Sequence, residues 1–181
     1  AGMDAGGFVG HMEPGAGLII AGSSVDQVTS DSGNAGGLVG SATDGSIQRK
    51  EQTTAFSFAD TLTVKAGSTS AAGGLIGSQF VTKGEVVSCD LSNYQFKKLV
   101  ISGGKDVGGL VGVLKNTSTE KTAISISANT ATTVTSEVSG AVTNFGGIIG
   151  TYQSEQMNNT LTIKGKSGNA ISVSTSGGAN V

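Results

Sequence analysis

The sequence predicts an all-β protein: a right-handed parallel β-helix of about five to six coils, each of 30–38 residues with three short strands. Three observations predict it. First, a word of two glycines, two large apolar residues and a third glycine occurs five times. Its first glycine falls at 6, 36, 73, 108 and 146, so the spacings are 30, 37, 35 and 38 residues. Second, two β-like runs lie between successive words. Third, 30 glycines, one proline and only 13% charged residues leave little material for helices. Fixed words at periods of this size mark stacked repeats, because one coil cannot bury its apolar face alone.

The elements follow in order. Each coil opens with the glycine word: Gly6-Gly-Phe-Val-Gly10, Gly36-Gly-Leu-Val-Gly40, Gly73-Gly-Leu-Ile-Gly77, Gly108-Gly-Leu-Val-Gly112 and Gly146-Gly-Ile-Ile-Gly150. A degraded sixth pair, Gly177-Gly178, follows 31 residues later. Turn residues come next, at Glu13-Pro-Gly15, Thr43-Asp-Gly45, Thr82-Lys-Gly84 and the polar runs 115–121 and 153–159. The second strand is predicted at 18–21, 46–48, 85–88, 123–127 and 160–163, and the third at 25–28, 60–64, 98–101, 133–136 and 171–174. Thr61-Leu-Thr-Val64 and Ile171-Ser-Val-Ser174 alternate with period two, as half-buried strands do. Coils paired in parallel at ~4.8 Å make a stack of roughly 25 Å, and right-handed winding is the rule for such crossovers. A β-sandwich gives no reason for five near-identical words. Residues 1–181 read as one repeat domain with coils starting near 6, 36, 73, 108, 146 and 177. The chain begins inside a repeat and shows no polar cap, so it reads as a fragment of a longer one.

The word Gly-Leu-aliphatic-Gly, at Gly37–Gly40, Gly74–Gly77 and Gly109–Gly112, resembles the GLUG motif of large bacterial surface proteins. Gly7-Phe-Val-Gly10 and Gly147-Ile-Ile-Gly150 are variants of it. Such proteins include adhesins, filamentous-haemagglutinin-like proteins and the repeat region of immunoglobulin-A peptidases. The resemblance implies a secreted or cell-surface bacterial β-helix. It does not carry peptidase activity across, since His11 is the only histidine and His-Glu-x-x-His is absent.

Composition excludes other classes. A net charge of −2 without a basic cluster gives no nucleic-acid footprint. No apolar run approaches the ~18 residues of a membrane helix, and residues 1–10 carry no signal-peptide pattern. The lone Cys89 reads as a small buried hydrophobe. The acids Asp44, Glu51, Asp60, Glu85, Asp90 and Asp106 are scattered, with no paired carboxylates for a lyase or glycosidase. Stacking is the one route that would gather Asp60 with Asp90 or Asp106. His11 and Glu13 read as solvated turn residues, and no nucleophile word accompanies a Ser-His-Asp set. No metal or cofactor is expected. The glycine words lack both the Asp of calcium-binding repeats, leaving only single loops such as Ser30–Gly33, and the Gly-Lys-Ser/Thr of phosphate loops.

Two groups are candidate binding residues. If each word is one regular strand with Leu38 inside, then Val9, Val39, Ile76, Val111 and Ile149 form an external aliphatic ladder. Reversed parity exposes Phe8, Leu38, Leu75, Leu110 and Ile148 instead. The competing reading is that the Gly-Gly pair breaks the alternation at a corner, or that a loop covers the column. The second group lies in the spacers: Arg49 and Lys50, then Tyr94, Phe96 and Lys97, cations beside aromatics that suit glycan or protein recognition. The expected function is non-enzymatic: a stalk or adhesin, extracellular or on the bacterial cell surface, binding a host protein or glycan and joined to flanking domains. A host-immune binder that engages immunoglobulin and a carbohydrate-active β-helix are the alternatives.

Overall fold

The glycine word contains a bend. In all five repeats the chain runs extended into the first glycine and bends at the second glycine and the first apolar residue. A new strand then starts at the second aliphatic residue. The structure, a computed structural model, describes residues 3–20, 25–44, 46–49, 61–83, 87–90, 98–118, 123–128, 132–139, 142–155, 160–165 and 171–176.

These residues are all-β, without a helix, and form four five-stranded sheets. Sheet A joins β1 (Ala5–Gly6), β5 (Ala35–Gly36), β9 (Ala71–Gly73), β13 (Asp106–Gly108) and β17 (Asn144–Gly146) in that order. Sheet B joins β2 (Val9–Met12), β6 (Val39–Thr43), β10 (Ile76–Val81), β14 (Val111–Asn116) and β18 (Ile149–Ser154). Sheet C joins β3 (Gly17–Ile20), β7 (Ser46–Arg49), β11 (Val87–Asp90), β15 (Ala123–Ala128) and β19 (Thr160–Gly165). Sheet D joins β4 (Gln27–Thr29), β8 (Thr61–Lys65), β12 (Lys98–Ser102), β16 (Thr132–Ser139) and β20 (Ile171–Ser176). The strand pairs are parallel. The chain therefore visits sheets A, B, C and D in turn and returns to A, which is the connectivity expected of a β-solenoid. Each circuit contributes four strands where the sequence reading had three, because the word supplies the end of one strand and the start of the next. Five circuits are described; Gly177-Gly178 lies outside the described residues.

Register sets like against like in the glycine words and between β8 and β12. Val9, Val39, Ile76, Val111 and Ile149 stand in one row, each paired with the next. In sheet D, Leu62 pairs with Leu99 and Val64 with Ile101. The alternation predicted for Thr61-Leu-Thr-Val64 holds: Leu62 and Val64 are fully buried and Thr61 is exposed. One apolar core results, drawn from Met12, Val28, Leu38, Val39, Leu62, Leu75, Leu99, Ile101, Leu110, Leu114 and their neighbours.

Candidate functional site

The proposed external ladder is not external. Val39 is 0% exposed, Ile76 3% and Val111 4%, and the alternate column Leu38, Leu75 and Leu110 is buried with them. Only the outer coils differ: Val9, Ile148 and Ile149 are half-buried and Phe8 is 39% exposed. Hydrogen bonds at the bend give the reason. The amides of Leu38 and Val39 both donate to the Leu75 carbonyl, at 2.9 and 3.1 Å, and those of Leu75 and Ile76 both donate to the Leu110 carbonyl. Phe8 with Val9 and Leu110 with Val111 repeat the pattern on Leu38 and Ile148. Successive amides of a regular strand face opposite neighbours. Two that face the same neighbour rotate the chain between them, and the inside–outside alternation is lost. Both apolar residues then enter the core.

The glycines are required by closeness. A Cβ on Gly37 would stand 2.1 Å from the Gly74 carbonyl oxygen of the next coil, and one on Gly74 would stand 2.2 Å from that of Gly109. A Cβ on the first glycine of each word would strike the carbonyl of its own turn, at 2.1 Å for Gly36 and 2.0 Å for Gly73. The third glycines meet the coil before: Gly40 faces the Gly10 carbonyl and Gly77 the Gly40 carbonyl, each at 2.5 Å. Backbone packs on backbone at all three positions, so no side chain fits.

Of the spacer candidates, Arg49 closes β7. Lys50, Tyr94, Phe96 and Lys97 lie outside the described residues. Cys89 sits in β11, opposite Ile47 and Ile126.

The sequence reading missed a set of polar ties between coils. Asp4, just before the first word, accepts hydrogen bonds from the Asn34 amide at 2.8 Å and from Ser41 Oγ at 2.5 Å. Asp106, before the fourth word, accepts from Asn144 Nδ2 at 2.6 Å and Thr151 Oγ1 at 2.7 Å. Asn34 Oδ1 accepts from the Ala71 amide at 2.9 Å. The signal was present, since four of the five words are preceded by Asp or Asn. Asp106 thus lies beside Asn144, and Asp90 pairs with Ser127 in another sheet. Asp60 lies outside the described residues.

A second tie is made after sheet B. Asp44, 9% exposed and at φ 48°, accepts from the Thr82 amide at 2.6 Å, the Lys83 amide at 3.3 Å and the Thr82 hydroxyl. Burial pushes the Asp44 pKa up. The Thr82 hydroxyl, the two amides and the Lys83 charge outweigh it and hold the carboxyl below its ordinary 3.8.

His11 is a strand residue in β2, not a turn residue, and it completes a Ser-His-acid cluster. Its Nδ1 is 2.6 Å from Ser41 Oγ and 3.9 Å from Asp4, and its Nε2 is 3.6 Å from Glu13. Proton bookkeeping decides what the cluster can do. Ser41 has one hydroxyl proton, and the Asp4 carboxylate can only accept, so Ser41 donates to Asp4. His11 Nδ1 must then donate to Ser41 Oγ, which is the wrong polarity for a base that activates a nucleophile. Ser41 is also 3% exposed. The cluster joins the first coil to the second. Ser30 Oγ likewise donates to the Met3 carbonyl and accepts from the Gly33 amide, which spends the Ser30–Gly33 loop on contacts within the fold. Among the described residues no group of three His, Cys, Asp or Glu side chains is placed to hold a metal ion, and no helix is long and apolar enough to cross a membrane. Comparison with family models, curated proteins and solved structures finds no match for this chain.

Proposed function

We propose that the chain is a right-handed parallel β-solenoid acting as a stiff stalk or adhesin module of a secreted or cell-surface bacterial protein. Its lateral surface binds a host protein or glycan. The observation that carries this reading is parallel pairing in four sheets over five circuits, with the aliphatic row Val9, Val39, Ile76, Val111 and Ile149 in register throughout sheet B. Parallel pairing along every wall resists bending and shear, which suits a spacer. Three of the described acids support a structural role: Asp4, Asp44 and Asp106 are each committed to bonds between coils. The likeness of the glycine words to GLUG repeats supports the surface placement. The test is a panel of host glycans, matrix proteins and immunoglobulins against the purified chain, run beside a polysaccharide-cleavage screen. Saturable binding that disappears on unfolding, without turnover, is expected. Cleavage of any polysaccharide would replace this reading with a carbohydrate-active one.

A further inference from the structure

We draw no further inference here: the strongest candidate, the buried Asn116 side chain at the end of β14, whose Nδ2 has no partner among the described residues, carries nothing because residues 119–122, which follow its turn, lie outside the described ones and nothing in the structure shows what covers it.

Discussion

Two corners of each circuit are built by opposite means. Between sheets A and B, every coil turns on the glycine word, and backbone meets backbone of the neighbouring coil at Gly37 and Gly74, Gly40 and Gly10. After sheet B each coil improvises. Asp44 takes a left-handed conformation and ties to Thr82 and Lys83. Asn116 in a later coil instead accepts from the Ser118 amide, and its buried Nδ2 has no partner among the described residues. A joint made of backbone has one solution, so its sequence must repeat. A joint made by side chains has many, so its sequence is free to vary and its loop to lengthen.

The sharpest way to break this contrast is Gly37→Ala. The methyl would lie 2.1 Å from the Gly74 carbonyl oxygen, a backbone atom that cannot swing aside as a side chain could, and 2.9 Å from Leu62 Cδ2 in the packed core. A loss of about 4 kcal/mol or more is expected, in the exceptional range for one substitution, read as a collapsed urea midpoint. A wild-type midpoint would mean that the coils are not in backbone contact there.

Val39→Ala comes next. Val39 is fully buried, and removing two methyls should cost about 2 kcal/mol through lost transfer energy and the cavity left behind. The same change at an exposed ladder position would be nearly neutral, so a flat result restores the external column.

Asp44→Ala tests the improvised corner. It strands the Thr82 and Lys83 amides, at a cost of roughly 1–3 kcal/mol. The pH dependence has a definite sign. Asp44 titrates lower in the folded chain than its ordinary value, so its contribution is fully present above the unfolded pKa of about 3.9 and is lost as pH falls through the folded one. The stability gap between wild type and variant should be constant near neutrality and shrink below about pH 4. A gap that persists at acid pH would assign the effect to packing.

The asymmetry between the corners also decides what the sequence disclosed. Strands in sheets C and D fell where alternation put them, because Leu62 and Val64 obey a period of two. The repeat was legible because the glycine joint tolerates no variation. The corner within the word was legible only as one of two competing readings, since Gly36–Gly40 looks the same on paper whether or not Leu38 and Val39 point their amides at one carbonyl. The ties at Asp4 and Asp106 hid for another reason: their partners lie 37 and 45 residues away, a distance set by spacers of unequal length.

Gly15→Ala separates the two reasons a glycine is needed. Gly15 has φ 80° in the turn closed by the Ala16 amide on the Glu13 carbonyl at 3.1 Å, and a Cβ there would meet nothing within 4 Å. Only the left-handed backbone opposes the substitution, at about 1–2 kcal/mol. Differential scanning calorimetry should show a small downward shift in Tm with the cooperativity of unfolding unchanged. If Gly15→Ala were as damaging as Gly37→Ala, closeness between coils would no longer explain why the glycine word repeats, and backbone conformation alone would have to carry both corners.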